Sequence, residues 1–318
     1  MRVVLVGPLD IPRSLEGLRR PGDDLLDRWD GEVLLRTLPT PGGPVPVAAR
    51  SVGTLDAPAL EVVAGARAAG SGDAVDDPAL LSALAATFVP TPPSWPALLA
   101  SDPVLARLDE EHLGVRPVLH PDVLRALVRS VTAQQVNLTF ATVLRRRLAE
   151  AYADEHVVDG RVVRSFDAAR LAGAEVADLR ALQFSVAKAR AVIGLAGAVA
   201  AGELVLGELD ALPDDEVILR LVAYRGIGRW TADWFLARVL GRAAVAAGDL
   251  AVRKAVGRAY LGGRMPSEEE VRVVTAHWGE SAGVAQQVLL DALFGPAAAE
   301  GVPAVECGVP APPSTAER

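Results

Sequence analysis

Four prolines within eight residues, in VPTPPSWP (89–96), divide this chain into two parts with different hydrophobic periods. Proline fixes φ and lacks the amide donor of a helix interior or central strand, so neither element runs through such a stretch. Before it, RVVLVG (2–7), EVLLRTL (32–38), VPVAARSV (45–52) and ALEVVAG (59–65) are short apolar runs bounded by Gly, Pro and Asp, and they read as strands. TPGGPVP (40–46) and GSGD (70–73) carry turn or loop signals. A helix with an acidic start is expected at about 76–88. After the prolines the period becomes helical almost throughout. HPDVLRALVRSVTAQ (120–134) puts Val123, Leu124, Leu127, Val128 and Val131 on one face, and LTFATVLRRRLAEAYA (138–153) follows it. Further amphipathic segments occupy 167–182, 185–201, 213–224, 230–241, 250–261 and 267–277, the last opening with Ser267 and Glu270 at capping-box spacing. The expected architecture is mainly α: a smaller α+β domain over 1–95, a helical domain over 96–296, and a loose Pro/Ala/Gly-rich tail over 297–318.

Composition narrows the function classes. At 51% hydrophobic and 23% charged residues, the 318-residue chain can bury a full core. No apolar run approaches the ~20 residues of a membrane span, and MRVVLVGPLDIP reads as a first strand rather than a signal peptide. A cytoplasmic protein is expected. Cys307 is the single cysteine, which excludes an internal disulfide, a cysteine zinc cage and a four-cysteine iron–sulfur cluster. His112, His120, His156 and His277 lack metal-ligand spacing and read as surface or capping groups. No P-loop or dinucleotide fingerprint is present. The net charge of −8 argues against an anionic partner until its distribution is considered. Residues 121–265 hold 20 Lys/Arg against 16 Asp/Glu, whereas the remainder holds 12 against 24. Within 225–265 there are eight basic residues and two acids, Asp233 and Asp249, an asymmetry that suits a local anionic partner or a solvated basic helix face.

ILRLVAYRGIGRWTADWFLARVL (218–240) reads as helix, tight turn, helix. Gly226 and Gly228 allow unusual backbone angles and close approach, with Ile227 between them. The second helix starts near Arg229, so its free N–H groups and positive dipole end can receive a phosphate, flanked by Arg225, Arg229 and Thr231. The plain alternative is an ordinary helix–helix turn. Asp249, in AAGDLAVRKAV, is an ordinary N-cap in one reading. In another it is a carboxylate beside a nucleic-acid backbone, where it would suit a reaction that develops positive charge on deoxyribose, such as N-glycosidic bond cleavage. The two roles are compatible.

The segment RGIGRWTADWF…AAGDLAVRKA strongly resembles the helix-hairpin-helix DNA glycosylase superfamily, and within it the 3-methyladenine DNA glycosylase II branch. The same order holds for DPVLARL (102–108), LRALVRSVTAQQVNLTFA (124–141), LQFSVAKARAVIGLAGAVAAGEL (182–204), LPDDEVILRLVAYRGIG (212–228) and HWGESAGVAQQVLLDALF (277–294). The resemblance covers about 101–295 and implies an N-terminal domain with an antiparallel sheet. It places the catalytic aspartate on Asp249 and the DNA-gripping hairpin on Gly226, Ile227 and Gly228. Bifunctional members carry a Schiff-base lysine where this chain has Trp230, so a monofunctional hydrolase is implied. Gln134 and Gln135 match the region whose loop wedges into the duplex, or else cap a helix end. An electron-deficient alkylated purine suits aromatic faces, and the base-pocket candidates are Trp230, Trp234, Phe184 and Trp278. Ser281 stands near the place where the branch has a second tryptophan, which opens the substrate range. The resemblance further implies double-stranded DNA containing damaged bases as partner, a monomer, and no organic cofactor. A monovalent cation bridging hairpin carbonyls and a DNA phosphate is also implied. The readings left standing beside an alkylated-purine glycosylase are a non-catalytic DNA binder, a glycosylase for deaminated or oxidised bases, and a protein-interaction domain.

Overall fold

The computed structural model describes residues 1–66 and 78–295. The GSGD turn, the acidic start of the helix expected at about 76–88 and the C-terminal tail lie outside the described residues. Strands β1 (Arg2–Val4), β2 (Asp27–Trp29), β3 (Val33–Leu38), β4 (Val45–Gly53) and β5 (Pro58–Ala64) form a sheet in the order β1-β5-β4-β3-β2. Every pair in it is antiparallel. The first part of the chain is not strands alone, because helix α1 (Ile11–Arg19) separates β1 from β2. Its nine residues bury only Ile11, Ser14, Leu15 and Leu18, and Asp10 caps it by accepting from the Arg13 amide. That is a short periodic signal inside a polar stretch. Helices α1 and α2 (Pro78–Ala85) cover one face of the sheet, closing Leu15, Leu34, Leu38, Leu60 and Leu80 into a core.

The other face of β3 and β4 is covered by a hairpin of β6 (Ala153–Val158) and β7 (Arg161–Phe166), which packs Val158 and Val163 on Val33, Leu35 and Ala48. This hairpin corrects the expectation of helix almost throughout the second part. Its turn, Asp159–Gly160, has φ of 50° and 67°. An Asp-Gly pair between β-branched runs is a strong local signal for such a turn. With both faces covered, all six residues of β3 are buried.

The remaining elements are helices α3 (Trp95–Ser101), α4 (Pro103–Glu111), α5 (Val123–Ala133), α6 (Leu138–Tyr152), α7 (Ala168–Ala172), α8 (Val176–Ala181), α9 (Val186–Ala200), α10 (Leu206–Asp210), α11 (Asp214–Val222), α12 (Arg229–Arg238), α13 (Leu250–Tyr260), α14 (Glu268–Thr275) and α15 (Ala282–Phe294). The segment expected as one helix over 167–182 is two, α7 and α8. The capping box of Ser267 and Glu270 is formed at the start of α14. No described helix is long and apolar enough to cross a membrane. One core joins α5, α6, α9, α11 and α12 around Leu127, Leu144, Val192, Leu221 and Phe235. Another joins α3, α4, α13, α15 and the short 3-10 helix Ala276–Ser281 around Leu105, Val256, Trp278 and Val288. Helix α12 borders both cores, since Phe235 is inside the first while Trp230 and Trp234 pack against the second.

Buried ion pairs tie the sheet to the helices. Asp27 on β2 meets Arg36 on β3 at 2.8 Å, Arg125 on α5 at 3.3 Å and His120 Nδ1 at 3.2 Å. Burial pushes the Asp27 carboxyl up, but Arg125, Arg36 and His120 together hold it well below the usual carboxylate range. Asp24 pairs with Arg145 on α6 at 2.7 Å and with Arg129 on α5 at 3.6 Å. At the far end of the chain, Asp291 on α15 accepts from Arg13 on α1 at 2.6 Å and lies 2.8 Å from His112 Nδ1.

Candidate active site

The turn from α11 to α12 follows from two glycines with different duties. Gly226 has φ +85°, and a Cβ there would stand 2.7 Å from the Ala191 Cβ on α9, so both conformation and packing exclude a side chain. Gly228 has φ −103°, which any residue adopts, and a Cβ on it would meet nothing within 4 Å. The expectation that both glycines need special angles is thus corrected. Gly228 leaves open space in front of α12, whose start carries no side-chain cap. An uncapped helix start beside open space offers its N–H groups and positive dipole end to an anion. Ile227 is buried and anchors the turn in the first helical core.

The arginines of the turn differ as well. Arg225 is exposed. Arg229 donates to Asp233 at 2.8 Å, and Asp233 also accepts from Arg272 on α14 at 2.9 Å. Thr231 does not face the turn. It is fully buried, and its hydroxyl accepts from Ser130 on α5 at 3.1 Å, so it joins α12 to α5 instead of offering a group to a ligand. Gln134 closes α5 and donates to the Gly226 carbonyl at 3.0 Å, binding the α5–α6 loop to the hairpin. Gln135 follows with φ 56° and is exposed at the tip of that loop. Of the two glutamines, only Gln135 projects free.

Asp249 is the N-cap of α13. Its Oδ1 accepts from the amides of Ala251 at 2.8 Å and Val252 at 3.0 Å, and its Oδ2 accepts from the Trp230 indole at 3.2 Å. A Cβ on Gly248 would stand 3.2 Å from the Trp230 Cβ, so the small residue before Asp249 lets the cap draw up against the tryptophan. The capping reading of Asp249 is thus formed, and the same carboxylate, fixed by neutral donors, lines a cleft of about 390 Å³.

The cleft also carries Trp230, Trp234, His120, Arg129, Arg145 and Arg238, and its α1 wall supplies Arg13, Ser14 and Arg20. The imidazole of His120 stacks on Trp234 at 5.6 Å with 26° between planes. Burial holds its pKa at about 4 in spite of the Asp27 hydrogen bond, so the ring is neutral near pH 7. Burial also lowers Arg129 and Arg238 to about 10, opposed by Asp24 at the first and Asp249 at the second. Both stay charged at neutral pH.

Three base-pocket candidates lie elsewhere. Phe184 is 1% exposed within the first helical core, and Trp278 is 2% exposed within the second. Ser281 is fully buried and meets the Ser94 hydroxyl at 2.9 Å. None of the three lines the cleft, because each was placed by order along the chain while a core position is decided by which helix face turns inward. The reading of the histidines as surface or capping groups holds for His277 and for His112, the C-cap residue of α4, and is corrected for His120 and His156. His112, His120 and His156 are buried, and only His277 is exposed. Of the cleft arginines, only Arg238 belongs to the basic run of 225–265 noted in the sequence, and Arg13, Arg20, Arg129 and Arg145 were not singled out. A signal existed in α5, where Arg125 and Arg129 stand four residues apart on a helix whose other positions are mostly apolar. No group of three metal-ligating side chains occurs among the described residues.

The model of the HhH-GPD superfamily base excision DNA repair proteins matches residues 128–280, which contain the hairpin, the Asp249 cap and most of the first helical core. A DNA-3-methyladenine glycosylase of Bacillus subtilis is 30% identical over 182 residues, 57% of this chain and 60% of that protein. The chain thus matches about 60% of the length of this relative. Among solved structures, the 3-methyladenine DNA glycosylase of Archaeoglobus fulgidus superposes with a TM-score of 0.77 at 23% identity, covering 92% of this chain and 99% of that one. The 8-oxoguanine glycosylase/lyase of Clostridium acetobutylicum, solved with double-stranded DNA, superposes at 0.68 with 16% identity, covering 91% and 93%. At these identities the two structures establish likeness of fold.

Proposed function

Because the model of the HhH-GPD superfamily base excision DNA repair proteins matches residues 128–280, we propose that the chain is a monofunctional DNA glycosylase of that superfamily, hydrolysing the N-glycosidic bond of damaged purines of the 3-methyladenine type. The observation that carries this reading is Asp249, fixed by two backbone amides and the Trp230 indole at the wall of an aromatic cleft. A base rotated out of the duplex would enter between Trp230 and Trp234, where an electron-poor purine gains stacking and cation–π attraction. As the C1′–N bond breaks, its electron pair leaves with the base and positive charge develops on the sugar. The carboxylate of Asp249 stabilises that charge, and water adds at C1′ to leave an abasic site and a free base.

The neighbouring parts serve this step. The uncapped start of α12 would hold a phosphate with Arg225 beside it. Gln135 would occupy the gap left in the duplex, while Gln134 holds its loop against the hairpin. The carbonyls of Arg225 and Ile227 accept no hydrogen bond among the described residues, which fits a monovalent cation shared with a DNA phosphate. Where a lyase would need an amine, Trp230 presents an indole that already donates to Asp249. Binding of double-stranded DNA follows in this reading from the hairpin and from the known complex of the Clostridium fold relative.

Incubation of the purified protein with methylated duplex DNA, followed by mass analysis of released bases, tests the reading. Free 3-methyladenine or 7-methylguanine with intact, borohydride-untrappable strands is expected. Asp249→Asn should lower release by about 100-fold or more while DNA binding persists. Release that survives this change would remove Asp249 from the chemistry, and no free base at all would refute the enzyme.

A further inference from the structure

Two acids stand in the basic run of 225–265, and the glycosidic chemistry uses only Asp249. The other, Asp233, lies on the second turn of α12, behind a helix start open to an anion, where a lone negative charge would repel a phosphate. It is 3% exposed, and both of its oxygens are engaged by arginines. Oδ1 accepts from Arg229 Nε at 2.8 Å, and Oδ2 accepts from Arg272 Nη2 at 2.9 Å. The same Arg272 nitrogen donates to Glu268 Oε1 at 2.5 Å, one turn back on α14. Glu268 opens α14 behind the Ser267 cap, and its Oε2 stands 3.2 Å from where a Cβ on Gly248 would be, against the turn that carries Asp249. The ion chain Arg229–Asp233–Arg272–Glu268 thus joins the start of α12 to α14 and to the turn before Asp249.

Arg229 is the open end of this chain. Its side chain is 56% exposed, and Nε, the nitrogen nearest the stem, is the one spent on Asp233. Its two Nη groups make no hydrogen bond among the described residues. An arginine anchored through Nε has already given up much of its rotamer freedom, yet it keeps two donors for the oxygens of a phosphate. With a guanidinium on each oxygen, the Asp233 carboxylate presents no net negative charge to that phosphate. Resting on the phosphate-binding part of the glycosylase reading, we propose that Asp233 is a positioning residue of the DNA grip. Backed by Arg272, it holds Arg229 so that the Nη groups join the α12 amides on one phosphate, in register with the Asp249 turn.

The sign of one change in DNA affinity tests this role. If Asp233 acted only through its charge, Asp233→Asn would tighten binding to duplex DNA by removing an anion. Positioning of Arg229 predicts the reverse. Binding of the full chain to an undamaged, fluorescein-labelled duplex is followed by anisotropy between about 50 and 200 mM salt. Asp233→Asn should weaken it roughly tenfold and make the salt slope shallower by about one phosphate contact. In an Arg229→Ala background the same substitution should change affinity by less than about twofold, because the side chain it positions is gone. Arg272→Gln, on a partly exposed side chain, is measured in both backgrounds and should show the same pattern with a smaller loss. With melting temperatures for every variant, it covers the case in which Asp233→Asn does not fold. Tighter or unchanged binding in Asp233→Asn overturns the proposal. An equal loss with and without Arg229, for either variant, makes the ion chain purely structural and overturns it too, as does a wild type that does not bind the duplex. Because the duplex is undamaged, none of these outcomes depends on base release, so a failure of the glycosylase reading is told apart from a failure of this one.

Discussion

Asp27 and Asp249 are both acids among arginines, and their surroundings differ in kind. Asp27 is buried and meets Arg36, Arg125 and His120, so its charge is consumed by holding β2, β3 and α5 together. Asp249 is held by two amides and an indole, all neutral, and it faces a cleft. Neutral donors fix the position of a carboxylate without cancelling its charge, which leaves a field for something arriving from outside. Acid beside arginine is therefore no functional signature by itself. What distinguishes the two sites is whether the partners are cations within the fold or dipoles beside an open face.

The contrast can be broken by substitution. Asp27→Asn should destabilise the protein by about 3–5 kcal/mol, because it leaves Arg36 and Arg125 buried without their anion, whereas Asp249→Asn keeps a good helix cap. Chemical denaturation of the two variants checks this, and equal losses would dissolve the distinction. A smaller effect is expected with pH. The folded pKa of His120, about 4, lies below the ordinary 6.5, so the unfolded chain takes up the proton first. Stability from the neutral ring is then full above pH 6.5 and is lost as pH falls to about 4, amounting to about 3 kcal/mol at most. Asp27, also depressed, adds its loss below its ordinary value of 3.8. His120→Phe should flatten the upper window in melting experiments and leave the lower one.

The hairpin glycines sharpen the comparison on a smaller scale. Gly226→Ala should cost about 1–3 kcal/mol, from a positive φ and a 2.7 Å approach to Ala191. Gly228→Ala should change stability by no more than about 0.5 kcal/mol, since its Cβ meets nothing. It should nonetheless weaken binding to duplex DNA, which a filter or anisotropy titration reads, because the methyl group would stand in the space before the α12 amides.

Much of the site was legible because it is local. The glycine turn, the start of α12 and the Asp249 cap lie within 226–249, and turn chemistry and capping act over a few residues. The β6–β7 hairpin was equally local, and its Asp159–Gly160 turn was passed over under the helical period on both sides. The wall of the cleft was not legible in the same way. Arg13 comes from α1, Arg129 from α5 and Arg238 from α12, and no spacing relates residues more than a hundred positions apart.

By itself, then, the sequence determined the change from sheet to helices, the glycine turn before α12 and the aspartate nineteen residues after Trp230. Only the tertiary structure decided that Phe184, Trp278, Ser281 and Thr231 pack inward, that Gln134 braces the hairpin, and that His120, Arg129 and Arg238 face the cleft. The reason is physical. Backbone turns and caps are set by neighbours along the chain, whereas burial and charge pairing are set by neighbours in space.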